Sequence, residues 1–166
     1  MIKFILIFCL GVISPPLFAE NTLQEPVGDV VFTVAGNITN ANHDSQALFD
    51  LAMLLSLDQQ IIVTETPWME GAHKFEGPLL RDIIDFVGGQ GKSVIATALN
   101  GYKVTIPYQD MIDYPVILAL KQDDSILSIR KRGPGWVIYP WSDNSSLQNN
   151  QYYTRAIWQL KKLEIK

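Results

Sequence analysis

Residues 77–89 read GPLLRDIIDFVGG, and this stretch decides the fold class because it is the clearest helix in a chain that otherwise favours strands. Its apolar residues, between positions 79 and 87, recur at the three- and four-residue spacing of a single helix face. Pro78 is predicted at the first helical position, and Gly88-Gly89 is predicted to end the helix. The stretch therefore indicates a short helix with one face in the core.

A hairpin is predicted after this helix. Asn100-Gly101 separates two strand-like segments, 93–99 and 102–106, and favours a type I′ turn. Further strands are predicted at 30–35, 60–66, 115–120, 126–130, 136–139 and 156–165. Asp50 is predicted to cap a second helix, from 51 to about 57. About eight strands against two short packing helices predict an α+β, mainly β class. Segments 20–29, 67–71 and 142–151 are predicted as loops, the first and last of them exposed and mobile.

The first nineteen residues, MIKFILIFCLGVISPPLFA, have the anatomy of a secretory signal peptide. We expect cleavage after Ala19, which leaves a single domain, 20–166, in a bacterial periplasm. Cleavage removes Lys3 and Cys9, so the net charge changes from −4 to −5 and no thiol remains. The charge argues against a nucleic-acid partner. The lack of a second long apolar run predicts no membrane insertion after cleavage.

Four segments carry a resemblance to a known family. They read FEGPLLRDIIDFVG at 75–88, ALNGYKVTIP at 98–107, PVILAL at 115–120 and RGPGWVIYP at 132–140. In this order and spacing they resemble the molybdopterin-binding domain of the sulfite oxidase family, over residues 30–140. The resemblance implies a mainly β fold with short packing helices.

One departure from the family pattern changes the expected function. Enzymes of this family bind molybdenum through a cysteine just after the strand that corresponds to residues 60–66, and thiolate is a soft ligand that suits this metal. Here that segment reads TETPW, from Thr64 to Trp68, and offers no thiolate. The chain resembles exported members without the cysteine, which bind a pterin and signal to a membrane receptor that controls cyclic-di-GMP turnover.

The resemblance therefore implies a periplasmic pterin-binding protein, with a pterin of the tetrahydropterin type as ligand and the periplasmic domain of a membrane receptor as partner. We expect no molybdenum and assign no catalytic or metal-binding residue. No esterase, zinc-protease or phosphate-binding motif occurs in the sequence. Two alternatives remain: a molybdopterin-dependent oxidoreductase or a subunit of one, and a cofactor-free interaction module.

A flat, polar pterin needs an aromatic face for stacking and hydrogen-bonding groups around its rim. Residues of these types occur in three segments that the resemblance places near the site. The predicted ligand-binding residues are Thr66, Trp68, Glu70, His73, Asn100, Tyr102, Arg130, Arg132, Gly133 and Trp136. We expect Trp68 to face the 130–136 segment across one pocket. Strand alternation predicts Arg130 and Arg132 on one face, and Gly133 is expected to let the chain approach the ligand closely.

Each of these residues also has a structural interpretation. Trp68 could cover the edge of the core, and His73 could be a solvated surface residue. Asn100 could be present for turn geometry alone. The arginines could mark an exposed edge strand whose charges deter aggregation.

Overall fold

The computed structural model describes residues 23–166, so the predicted signal peptide and its cleavage site lie outside the described residues. The strands are β1 Val30–Gly36, β2 Ala47–Asp50, β3 Gln60–Thr66, β4 Met69–Gly77, β5 Ser93–Ala98, β6 Lys103–Pro107, β7 Ile117–Ala119, β8 Lys121–Gln122, β9 Ser125–Ile126, β10 Trp136–Ile138 and β11 Leu160–Ile165. The α-helices are α1 Leu51–Ser56, α2 Leu80–Phe86, α3 Tyr108–Asp113 and α4 Asn150–Arg155. Two 3₁₀ turns occupy Ile129–Lys131 and Ser145–Leu147. The predicted mixed, mainly β class is confirmed.

The strands form three sheets. The largest has the order β2-β1-β11-β5-β6, and the others have the orders β3-β4-β8-β9 and β10-β7. In the large sheet β11 pairs parallel with β1 and antiparallel with β5. One buried cluster joins the sheets to α2 and includes Val34, Phe75, Ile83, Ile138 and Leu163. Among the described residues, no helix has the length and apolar character needed to cross a bilayer.

The predicted helix at 77–89 is present, but it begins later than expected. Leu79 is its N-cap, with an extended backbone, so Pro78 precedes the helix instead of occupying its first position. The reason is tertiary: the carbonyl of Pro78 accepts a hydrogen bond from the Leu118 amide, which holds this segment against β7. Ile83 and Ile84 are buried, as the apolar spacing predicts.

The predicted hairpin at 93–106 is confirmed, but its turn type is wrong. Gly101 has a φ of +85°, whereas Asn100 is not left-handed, and the Ala98 amide donates a hydrogen bond to the Tyr102 carbonyl, so residues 99–101 form a three-residue turn with one glycine in the left-handed region. The Asn100 side chain explains the difference, because its Oδ1 accepts a hydrogen bond of 3.0 Å from the Tyr102 amide.

Asp50 caps α1, as predicted. Its carboxylate accepts hydrogen bonds from the amides of Met53 and, in the segment before β1, Gly28 and Val27. These bonds, that from Gly28 first, hold the pKa of the Asp50 carboxyl below its ordinary value. The cap therefore also ties down part of the predicted 20–29 loop.

Other predicted boundaries are wrong. The 67–71 segment is not all loop, because β4 begins at Met69 and Gly71, with a φ of +73°, lies at the register shift of the β3–β4 hairpin. The 142–151 segment contains the fully buried Leu147 and the start of α4, so it is not a uniformly exposed loop. The last predicted strand begins at Leu160 instead of residue 156, because Gln159 is left-handed with a φ of +51°.

Candidate functional site

The four tryptophans of the chain meet in one cluster, although they are far apart in the sequence. The tryptophan cluster consists of Trp68, Trp136, Trp141 and Trp158. Trp68 is central, with ring centroids 5.5 Å from Trp158, 5.7 Å from Trp136 and 6.0 Å from Trp141. Its contacts with Trp141 and Trp158 are edge-to-face, a favourable geometry for aromatic pairs.

Trp68 is held in this cluster by the turn between β3 and β4. The hydroxyl of Thr66 accepts a hydrogen bond of 3.4 Å from the Trp68 amide. From the other direction, the Arg132 guanidinium donates a hydrogen bond of 3.4 Å to the Trp68 carbonyl. The side chain is half-buried, so part of the indole remains available to a ligand.

A pocket of about 450 Å³ opens beside the tryptophan cluster. We call it the aromatic pocket, because the rings of Trp68, Tyr153 and Trp158 line it. Tyr102 and the polar residues Asn100, Asn150 and Thr154 also line it. Its volume lies within the usual range for small-ligand sites, about 300–1,000 Å³. None of its lining residues is charged.

Three of the ten predicted site residues line this pocket: Trp68, Asn100 and Tyr102. The hairpin turn that places Asn100 and Tyr102 is local, so the sequence motif located it. Sequence analysis missed Tyr153 and Trp158, which lie in α4 and in the connection before β11. Their aromatic character was the available signal, but only the tertiary fold brings them to Trp68.

We expected the 130–136 segment across the pocket from Trp68, but none of residues 130–136 lines the aromatic pocket. Residues 129–131 form a 3₁₀ turn, and Arg132 is left-handed with a φ of +67°, so the alternation predicted for a strand does not apply. The Arg132 guanidinium lies 4.9 Å from the ring centroid of Trp136 and 5.9 Å from that of Trp158. It therefore supports the tryptophan cluster by cation–π contacts, while Arg130 points to solvent from the turn.

Trp136 and Gly133 are also structural. Trp136 is fully buried, and its indole N–H donates a hydrogen bond of 3.1 Å to the Ala156 carbonyl, so it exposes no surface to the pocket. A Cβ at Gly133 would lie 2.0 Å from the Leu127 carbonyl oxygen. Glycine is required there for close packing within the chain, whereas the sequence suggested an approach to a ligand.

His73 and Glu70 lie on β4, away from the aromatic pocket. The His73 ring bonds through Nδ1 to the Asp123 carboxylate at 2.7 Å and through Nε2 to the Glu70 carbonyl at 3.1 Å. The bond from His73 is the main reason that the pKa of Asp123 lies below its ordinary value. Glu70 contributes this carbonyl, and its side chain is not at the pocket. Thr66 lines a smaller neighbouring pocket of about 170 Å³.

A buried polar network anchors α4, the helix that carries Tyr153. Asp110 accepts a hydrogen bond of 2.8 Å from the Tyr139 hydroxyl and bonds of 2.8 and 3.0 Å from the Arg155 guanidinium. Burial, followed by the nearby Asp110 carboxylate, raises the pKa of Tyr139 far above its ordinary value. Tyr139 is therefore a neutral hydrogen-bond donor that fixes Asp110 and, through it, the last turn of α4.

The fold is similar to that of a sulfane dehydrogenase. The structure of SoxCD from Paracoccus pantotrophus matches with a TM-score of 0.59 and 16% sequence identity, over 81% of this chain and 37% of that chain. At this identity the similarity concerns the fold alone. This chain spans little more than a third of the length of that relative. No protein-family model and no curated protein matches the sequence.

The segment after β3, where the family resemblance implies a cysteine, does not fit a thiolate-ligated molybdenum. Residues 23–166 contain no cysteine, and the segment after β3 supplies Pro67 and the indole of Trp68. Within this part of the chain, no group of three or more histidine, cysteine or acidic side chains is placed to hold a metal ion. The available groups favour stacking and neutral hydrogen bonding.

Proposed function

We propose that this protein binds a flat, uncharged heteroaromatic ligand of the pterin class in the aromatic pocket and does not transform it. The observation that carries the proposal is the composition of the pocket: four aromatic side chains form much of its wall, beside the polar side chains of Asn100, Asn150 and Thr154. A pterin offers a flat face to such a wall, and its edge carries donors and acceptors that match two amides and a hydroxyl.

The absence of charge among the lining residues supports a neutral pterin over molybdopterin. Molybdopterin carries a phosphate, and a phosphate transferred from water into a pocket needs cations or several backbone donors. The nearby cation Arg132 is already engaged with the Trp68 carbonyl and the tryptophan rings. The pocket therefore suits a pterin ring without an anionic tail.

We further propose that the protein acts in the periplasm and relays pterin occupancy to a membrane receptor that controls cyclic-di-GMP turnover. The support for export is the signal-peptide sequence at 1–19. The support for the relay is the resemblance of the chain to exported relatives that lack the cysteine. A relay also requires that ligand occupancy changes the affinity for the receptor.

Calorimetric titration of the mature protein with biopterin and tetrahydrobiopterin tests the binding proposal. We expect at least one of them to bind with a stoichiometry of one, and Tyr153→Ala to weaken it. The matched control is Ile61→Ala, at a side chain that is 58% exposed on β3 and outside the pocket. Failure of both pterins to bind the folded protein would contradict the proposal.

The fold similarity to SoxCD favours a second candidate, a subunit of an oxidoreductase complex. In that case the chain would copurify with a redox-active partner, and pterin alone would not bind. Binding of a protein partner without any pterin effect would instead favour a cofactor-free interaction module. Ligand titration and metal analysis of one periplasmic preparation separate the three functions.

A further inference from the structure

A second groove, of about 460 Å³, shares the β5–β6 loop with the aromatic pocket, since Leu99 lines the groove and Asn100 lines the pocket. Aliphatic side chains from four parts of the chain dominate its lining. They include Val30, Val31, Leu51, Leu99, Ile129 and Pro134. Three of these keep much of their surface in water: Val30 is 47% exposed, Leu99 40% and Ile129 60%. Covering them with an apolar partner would be favourable, at about 25 cal/mol per Å² of apolar surface.

The residues that line this groove include one cation and no anion, and two more cations follow a lining residue in the sequence. Lys161 lines the groove, and Arg130 and Lys131 follow directly after Ile129 in the 3₁₀ turn. All three side chains are exposed, and among the described residues none of them forms an ion pair. Charge complementarity therefore favours a partner segment with carboxylates beside its aliphatic side chains.

Gln159 links this groove to the aromatic pocket. Its carbonyl accepts from the Leu99 amide, its amide donates to the Arg132 carbonyl, and its side chain donates to the Ile129 carbonyl, each at 2.9 Å. The preceding residue, Trp158, lines the aromatic pocket. On the opposite side, Leu99 lines the groove, and its neighbour Asn100 lines the pocket. A shift of Trp158 or of the hairpin loop therefore moves the wall of both sites.

We propose that this groove binds an extended acidic–aliphatic segment of a partner protein, and that this binding is coupled to occupancy of the aromatic pocket. The docking part stands on the groove itself. The coupling rests on the proposed pterin-binding function, because it requires a ligand beside Trp158. Coupling through shared walls is reciprocal, so the partner segment must change pterin affinity by the same factor.

The probe for the docking test is a dye-labelled peptide of alternating leucine and aspartate, followed by fluorescence anisotropy with the mature protein. We expect saturable binding, and weakening by about tenfold or more in Ile129→Asp and in Lys161→Glu, which remove apolar contact and charge complementarity. The controls are Ile61→Asp, at an exposed aliphatic residue on β3, and Lys92→Glu, a charge-matched change beside Lys166 at the other end of β11. They should change affinity by less than about twofold.

Three results would overturn the docking proposal. The leucine–aspartate peptide does not bind, a leucine–lysine peptide binds with the same affinity, or the control variants lose as much affinity as the groove variants. A dimer in sedimentation that Ile129→Asp converts to monomer would also overturn it, because a second copy would then cover the groove.

The coupling is tested by repeating the titration with saturating biopterin, where we expect a change of about fivefold or more in peptide affinity. Loss of that change in Trp158→Ala, measured at a biopterin concentration that saturates this variant, supports coupling through the shared wall. An unchanged peptide affinity while biopterin binds would refute the coupling alone. If biopterin does not bind, the coupling fails with the proposed function, and the peptide titrations still decide whether the groove docks a partner.

Discussion

Replacing Trp158 with alanine separates a ligand-binding role from a purely structural one. Removal of a fully buried tryptophan typically costs about 3–5 kcal/mol of unfolding free energy. Trp158 is 39% exposed and contacts two rings of the tryptophan cluster, so we expect a loss of about 2–3 kcal/mol. For a domain of this size the melting temperature should fall by roughly 4–12 °C.

The same change should weaken pterin binding independently of stability. Aromatic stacking on a nucleobase contributes about 1–3 kcal/mol, which corresponds to a factor of roughly 5–150 in affinity. Trp158→Phe provides the matched control, because it keeps an aromatic face and should recover most of the affinity.

Melting curves and calorimetric titration on the same preparations give both quantities. A folded Trp158→Ala protein with lower stability and unaltered pterin affinity would refute the stacking role and leave Trp158 as part of the core.

Other predictions concern the fold and the metal. Asp110→Ala should lower the free energy of unfolding by up to about 3 kcal/mol, since it leaves the Arg155 guanidinium, whose side chain is 16% exposed, without its carboxylate partner, and chemical denaturation measures this. The pKa of Asp50 is lowered in the folded state, so the ionised carboxylate stabilises the fold. This contribution to the free energy of unfolding is fully present above the ordinary pKa of 3.8 and is lost as the pH falls through the folded-state pKa. Asp50→Asn should therefore flatten the dependence of stability on pH in that acid range. Gly133→Ala should destabilise the protein more than Gly71→Ala, as paired melting curves would show, because an added Cβ at Gly133 would lie 2.0 Å from a backbone oxygen, whereas at Gly71 it meets no atom within 4 Å and costs only the strain of a φ of +73°. Elemental analysis after gel filtration should find no stoichiometric molybdenum, and one molybdenum per chain would contradict the ligand chemistry argued above.

The parts of the fold that the sequence predicted are those that local interactions determine. The apolar spacing of α2, the Asn-Gly dipeptide and the Asp50 cap each specify a structure within a few residues. The predicted boundaries that were wrong depend on contacts with residues far away in the sequence. Pro78 lies outside α2 because its carbonyl bonds with β7, and no local pattern in the helix records that contact.

The candidate site follows the same division. Trp68 and Asn100 were found because an aromatic residue in a turn and a hairpin dipeptide are visible in the sequence. Trp158 was not predicted from the sequence, because it reaches the pocket only when β11 inserts between β1 and β5. The position of Arg132 was not predicted, because a left-handed residue after a 3₁₀ turn directs its side chain to the tryptophan cluster, which strand alternation does not indicate.

The residues after β3 are compatible with both the fold similarity to a sulfane dehydrogenase and the proposed stacking function. There the resemblance implies a metal-binding thiolate, and this chain places an indole that contacts three other tryptophans and Tyr153. A cysteine at Trp68 would leave a cavity among those rings, with a cost in stability that grows with the residual volume. A metal-binding thiolate at this position would therefore require repacking of the tryptophan cluster. Two members of this cluster, Trp68 and Trp158, also line the aromatic pocket, so the proposed stacking surface and the packing of the core share residues.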